Sequence, residues 1–353
     1  MNEPRKIPLK RFDYQLPSQL IGQRPVKPRD SARLLILNKK NGQIEHKKFY
    51  HIINYLKPGD VLVLNNSRVI PARLIGQKET GGKIEIFLLK KMSLRGSLSD
   101  CGNPMLEKNT WQCLIGGKIK VGEKILFPKN IKAKIIKKYD DQSWLVEFNA
   151  SAKKLLASGQ TPLPPYIKKM AKLADYQTVY AKTSGSVAAP TAGLHFTKRL
   201  INKLKKQGVI IEYITLHIGL GTFQPIKSRY IQDHKIHSEW ATLNKKTADK
   251  LNQAKKSGRS IIAVGTTTLR TLEAFSDDRG KLKPQSGWLN IFIYPGYKFK
   301  FVKTLITNFH LPKSTLLVLV SALVGEKLIK KSYQAAIKKK YKFFSFGDAM
   351  FIR

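Results

Sequence analysis

Apolar and polar positions change their period along the chain. Residues 69–150 hold short runs, "RVIPARLIG", "KIEIFLLKK", "WQCLIGG", "KILF", "IKAKIIKKY" and "WLVEF", which alternate or are continuously apolar and are separated by Gly, Pro, Asn and Asp. A period of two sends successive side chains to opposite faces of a strand, so this region is expected to form about six antiparallel strands closed into a small barrel. Residues 91–109 have no period and read as a long exposed loop within it. The flanking chain differs. "VIIEYITLHI" (209–218), "SIIAVG" (260–265), "LNIFIYP" (289–295) and "TLITNFHL" (304–311) read as buried strands, and helical patterns follow several of them, at 266–275 and 314–324. The expected architecture is α/β, a large α/β domain made of 1–68 and 156–353 with an antiparallel β-barrel domain inserted at 69–155. "TPLPPYI" (161–167) reads as a Pro-rich hinge, and no internal repeat is evident.

Composition narrows the partners. The 353 residues are 42% hydrophobic, enough for a sizeable core, and Lys+Arg number 65 against 23 Asp+Glu, a formal net charge of +42. That excess creates a positive field for polyanions, with nucleic acid the expected partner; the competing reading is a proteome rich in lysine, with runs such as "IKKKYKFF" serving as solvated faces. Cys101 and Cys113 have no metal-ligand spacing, which fits a reducing compartment. The N-terminus lacks an apolar signal core, and the longest apolar run, "LLVLVSALVG" (316–325), is too short to span a bilayer. A soluble, cytoplasmic protein with no membrane partner is expected.

Candidate chemistry gathers where the strands end. "TLHIGLGTF" puts Thr215 and His217 on one face and continues with Gly219, Gly221 and Thr222; "AVGTTTLRTLE" follows Gly265 with Thr266, Thr267 and Thr268 at a helix start and Arg270 one turn in; "ITNFHLPKST" supplies Asn308 and His310, with Ser314 as a helix N-cap. Ligands of α/β sheets sit at the carboxyl ends of strands, so these groups are expected to line one crevice. Each cluster also has an ordinary reading: threonines cap helices, strand-end histidines bond to backbone, and Gly-x-Gly marks a turn. "APTAGLHFT" (189–197) adds Thr191, Gly193 and His195 in a stretch without formal charge, whose small residues let a backbone come close to another group. "GLGTFQ" lacks the third glycine of a dinucleotide fingerprint, and no Walker lysine motif is present. "HKIHSEW" (234–240) has metal-like spacing, but as a strand it puts His237 and Glu239 on one face and His234 off it, which favours an acid–base pair over a metal site.

Nine long stretches, among them "LPSQLIGQRPVKPRDSARLL", "VLNNSRVIPARLIG", "YQTVYAKTSGSVAAPTAGLHFT", "TLHIGLGTFQPI", "HKIHSEW", "AVGTTTLRTLEAF", "IFIYPGYKFKFV", "LITNFHLPKSTLLVLVSALVG" and "FFSFGDAM", resemble the S-adenosylmethionine:tRNA ribosyltransferase-isomerase family of queuosine biosynthesis over essentially the full length. The resemblance implies transfer and isomerisation of the ribosyl part of S-adenosylmethionine onto preQ1 at the wobble position of tRNA, giving epoxyqueuosine, adenine and methionine. It implies tRNA and S-adenosylmethionine as substrates, no permanently bound cofactor and no metal; a monomer is expected. Read with that chemistry, His195, His217, His237 and His310 are the candidate proton carriers, with Glu239 to orient or relay. Thr191, Gly193, Gly219, Gly221, Thr222, Thr266, Thr267, Thr268, Arg270 and Asn308 are the candidate cofactor-binding residues, with the helix start at Thr266–Thr268 and Arg270 holding the methionine carboxylate. Leu289 and Asn290 stand where the family usually has Thr and Asp, and Lys303 where it has Asp. A non-enzymatic RNA-binding protein and a metal-dependent hydrolase built on His234, His237 and Glu239 are the competing classes.

Overall fold

Strands covered on both faces need apolar residues at every position, whereas strands covered on one face need them only at alternate ones, and the chain contains both kinds. The computed structural model describes residues 6–92, 109–139, 143–168, 172–219 and 225–353. In chain order the strands are β1 (Arg33–Leu37), β2 (Ile44–Lys48), β3 (Val61–Asn65), β4 (Ser67–Val69), β5 (Arg73–Lys78), β6 (Lys83–Lys91), β7 (Asn109–Gly116), β8 (Lys124–Phe127), β9 (Ile131–Lys138) and β10 (Trp144–Phe148). They continue as β11 (Thr183–Ser186), β12 (Ile210–Leu216), β13 (Glu239–Leu243), β14 (Ile261–Val264), β15 (Gln285–Leu289), β16 (Thr304–Asn308) and β17 (Ala349–Ile352). The helices are α1 (Ala152–Ser158), α2 (Lys198–Lys206), α3 (Lys245–Lys256), α4 (Thr266–Ala274), α5 (Thr315–Val324) and α6 (Glu326–Lys338). Contacts divide the chain into one unit of Met1–Arg68 with Pro164–Arg353 and a second of Val69–Leu163.

The second unit holds a closed antiparallel barrel of six strands in the order β10-β7-β6-β5-β8-β9. Its alternation is visible in β8 and β9, where Ile125, Phe127, Ile131, Ala133 and Ile135 are buried while Lys124, Lys132 and Lys134 face water. The loop expected at 91–109 falls largely at 93–108, outside the described residues.

The first unit carries a nine-stranded sheet, β15-β13-β12-β3-β14-β16-β17-β1-β2. Its middle strands β12, β3, β14 and β16 run parallel, so their carboxyl ends share one edge. β3 and β14 are buried throughout, and Leu62, Leu64, Ile262, Val264 and Ile306 join Leu200 and Leu204 of α2 in one core. Together the two units make a mixed α/β fold with a closed barrel. One expected strand is displaced: 289–295 contributes only Leu289, the last residue of β15, and the chain leaves the sheet from Asn290 onward. The apolar run Ile291, Phe292 and Ile293 that suggested a strand lines a cleft instead.

Helix starts show what each terminus is used for. Thr197, Asn244 and Ser314 cap α2, α3 and α5 by accepting the N–H of Leu200, Thr247 and Leu317 at 3.1, 2.8 and 3.2 Å. α4 differs. Its N-cap is Gly265, at φ +89°, and among the described residues no side chain caps its first turn.

Candidate active site

The carboxyl-edge residues gather into two adjoining clefts rather than one crevice. The first is lined by Thr191, Thr266, Thr267, Asn308 and His310, together with Tyr166, Phe309 and Phe344. The second is lined by Gly219, His237, Glu239 and Arg270, with His234 and Phe292. They meet at Leu316, which lines both, and at the consecutive residues Ile218 and Gly219, one in each.

In the first cleft the uncapped start of α4 brings backbone N–H groups beside Thr266 and Thr267, an arrangement that favours polar or anionic ligand atoms. Asn65 closes the wall behind them, donating to the Leu216 carbonyl at 2.9 Å and to Thr267 Oγ1 at 3.4 Å. The side chain of Asn308 is fully engaged: it donates to Phe344 O at 3.0 Å and to His195 Nε2 at 3.2 Å, and accepts from Thr191 Oγ1 at 3.3 Å. Phe344 sits at φ +73°, a strained conformation for a bulky residue, and stacks on Tyr166 with ring centroids 4.6 Å apart. Burial pulls the His310 imidazole down to about 3, and its Nε2 lies 2.9 Å from Thr307 Oγ1. His310 is held neutral near pH 7.

In the second cleft the guanidinium of Arg270 and the carboxylate of Glu239 form a hydrogen-bonded ion pair buried on both sides. Arg270 Nε donates to Ile291 O at 3.3 Å, and Glu239 Oε1 accepts the Gly219 N–H at 3.2 Å. Arg270 Nη2 is buried with no hydrogen-bond partner among the described residues. A buried charged donor left over in this way is expensive unless a ligand completes it. His237 is exposed, and His234 is half-buried, its imidazole lowered by burial and then by the neighbouring His237. Glu239 faces Arg270, and among the described residues no three His, Cys, Asp or Glu side chains cluster closely enough to hold a metal ion.

The remaining candidates lie elsewhere. His195 is behind Asn308, with its ring 5.1 Å from that of Phe49; burial, reinforced by the Arg29 charge, pulls it down to about 4. Gly193 lines neither cleft: a Cβ there would come within 1.9 Å of the Tyr180 hydroxyl, so its smallness is used by a protein side chain. Thr268 turns its hydroxyl back to Val264 O at 2.8 Å. His217, the residue after β12, is packed against Gly185, and its imidazole is lowered by burial. Gly221 and Thr222 lie outside the described residues.

The model of the queuosine biosynthesis protein family matches residues 9–352 of this chain. The chain belongs to that family. A member from Clostridium kluyveri, S-adenosylmethionine:tRNA ribosyltransferase-isomerase, is 50% identical over 350 residues, covering 97% of this chain and 98% of its own. The crystal structure of S-adenosylmethionine tRNA ribosyltransferase from Thermotoga maritima matches with a TM-score of 0.56 at 38% identity, covering 97% of this chain and all of the other. Within the family frame, Leu289 is buried opposite Glu239 in the β13–β15 pairing and Asn290 is exposed just before the second cleft's Ile291. Lys303 is exposed ahead of β16, at the opposite end of that strand from Asn308.

Sequence reading missed Tyr166, Phe344 and Phe292 as cleft residues. Tyr166 was hidden in a Pro-rich stretch and Phe292 in an apparent strand; Phe344 had no signal at all, because its positive φ is visible only in the backbone.

Proposed function

We propose that this chain is an S-adenosylmethionine:tRNA ribosyltransferase-isomerase. It transfers the ribosyl part of S-adenosylmethionine to the aminomethyl group of preQ1 at the wobble position of tRNA, with isomerisation to the epoxycyclopentanediol and release of adenine and methionine. The observation that carries this reading is the buried Arg270–Glu239 pair, whose Nη2 has no partner among the described residues, set in an apolar-walled cleft beside a second cleft of hydroxyl and amide groups. A guanidinium and a carboxylate side by side match the carboxylate and ammonium of an amino acid, and Phe292, Ile293 and Leu319 match its thioether chain. The nucleoside half then occupies the first cleft, with the adenine near the Tyr166–Phe344 stack and the ribosyl hydroxyls near Thr266 and Thr267.

This placement divides the roles of the histidines. His237, exposed at the second cleft, is the group we assign to proton transfer at the methylene beside the sulfonium. His310, buried and neutral, supplies a hydrogen bond in the first cleft, and His195 supports Asn308 from behind. The basic excess draws tRNA to the protein. No helix among the described residues is long and apolar enough to cross a membrane.

The test is incubation with preQ1-containing tRNA and S-adenosylmethionine labelled in the ribosyl group. Label in the tRNA with equimolar adenine and methionine supports the reading. Label entering only when the S-methyl group carries it makes the protein a methyltransferase, and no label in tRNA at all removes the assignment.

A further inference from the structure

Two tryptophans stand on the surface beside the active edge of the sheet. Trp240 of β13 and Trp288 of β15 are direct cross-strand partners, 37% and 51% exposed, with ring centroids 5.6 Å apart in an edge-to-face arrangement. Alternation explains the exposure. Glu239, Ala241 and Leu289 point to the buried side of these strands, so Trp240, Thr242, Ser286 and Trp288 point to the other, the more exposed face. Ser286 Oγ donates to Thr242 Oγ1 at 3.1 Å, tying the two strands together at the next outward pair beside the rings. Leaving two large aromatic surfaces in water is unfavourable and marks a contact surface.

Position and charge select the occupant. Glu239 pairs with Leu289 at the edge where β12 and β14 end, so the Trp240–Trp288 pair lies one residue in from the rim that carries the clefts. β13 is three strands from β14 in the sheet, about 14 Å at the usual strand spacing, within the span of a few nucleotides. The outward side chains of β13 and β15 carry no negative charge, and exposed Lys245, Lys246, Lys281 and Lys283 follow Leu243 and precede Gln285, at the end of the two strands away from the clefts. A second copy of this chain would bring its own charge of +42 to the same surface, which repulsion opposes.

We propose that Trp240 and Trp288 form a stacking ledge for an unpaired base of the RNA loop whose neighbouring nucleotide is modified in the clefts. Every base has a π-face, so an aromatic ledge holds a loop without demanding its sequence, and the lysines beyond its far end attract the backbone leading away from the clefts. The proposal rests on the tRNA reading above for the identity of the loop.

Fluorescence-anisotropy titrations of the full chain test it, with a labelled anticodon stem–loop RNA and a blunt RNA duplex of equal phosphate number. W240A/W288A is expected to weaken stem–loop binding by at least about tenfold while duplex binding and the salt slope stay as in wild type. W240F/W288F, which keeps two stacking faces, is expected to stay within a few-fold of wild type. Equal loss on both RNAs, or no loss on either, overturns the ledge, as does a wild-type dimer in sedimentation that W240F/W288F retains and W240A/W288A dissociates. Wild type binding the duplex as tightly as the stem–loop sinks the tRNA-loop reading itself. A stem–loop preference that survives W240A/W288A sinks the ledge alone.

Discussion

Arg270 has two jobs that a single substitution disturbs together. Arg270→Ala leaves Glu239 buried without its counter-charge, so stability is expected to fall by about 3–5 kcal/mol in urea denaturation, the usual penalty for orphaning one member of a buried pair. The partner lies 31 positions away in the chain, so this structural role of Arg270 exists only in the folded protein. The double variant Arg270→Met with Glu239→Gln removes both charges; it is expected to recover most of the stability but to bind S-adenosylmethionine at least about tenfold more weakly by calorimetry. Recovered stability with wild-type affinity would assign Arg270 to folding alone. A second expectation concerns the buried imidazoles. His195 at about 4 and His310 at about 3 lie below the ordinary histidine value of about 6.5, so the unfolded chain binds more protons than the folded one between these limits. Their contribution is therefore intact above about pH 6.5 and is lost as pH falls toward 3. His195→Asn keeps a hydrogen-bonding edge for Asn308 and is expected to flatten the acid side of the stability curve by about 3 kcal/mol in pH-dependent denaturation. An unchanged acid limb would mean that His195 titrates normally.

Glu273, near the end of α4, organises a segment rather than a site. Its buried carboxylate accepts the N–H groups of Lys300, Phe301 and Val302 at 2.8, 3.0 and 2.7 Å, and the Tyr297 hydroxyl at 3.1 Å. Through these bonds α4, which opens the first cleft at its amino end, fixes the chain leading into β16 at its carboxyl end. Glu273→Ala leaves those three backbone donors unpaired, and a loss of about 2–4 kcal/mol is expected together with faster proteolytic cleavage between 297 and 302. Wild-type cleavage rates in that segment would show that other contacts hold it. The displaced strand at β15 teaches the same lesson about elements. "LNIFIYP" reads as a strand, yet pairing with β13 puts the preceding "QSGWL" in the sheet, and the cleft uses the apolar side chains of Ile291, Phe292 and Ile293. Local pattern reports that a residue is apolar; it does not report what it will be buried against.

The charge of +42 acts over the whole surface and gives the broadest expectation. Affinity for tRNA should fall by about 0.7–0.9 log unit per log unit of salt for each phosphate neutralised, measured by anisotropy across a salt series. A flat response would leave the lysine excess as mere solvation. The periods of the sequence were sufficient for an α/β fold and for six barrel strands, because burial on one face or two imposes its own alternation wherever a strand lies. The carboxyl-end clusters, "TLHIGLG", "AVGTTTLR" and "ITNFH", were legible for a related reason: polar residues at the end of a buried strand must face something other than core.

What the sequence by itself could not decide was which of those groups face one another. Thr267 and Arg270 lie within one turn of α4 but serve different clefts, because the guanidinium reaches the buried carboxylate of Glu239, a residue 31 positions away. Gly193 and His195, read from sequence as groups that approach a ligand, are packed against Tyr180 and Asn308. Charge state follows from the same placement, since an imidazole titrates near neutrality in water and near 3 or 4 when the fold strips that water away. Composition and period are properties of the chain and survive without the fold; pairing, exposure and protonation depend on distances between residues far apart in sequence, and only the tertiary structure sets those.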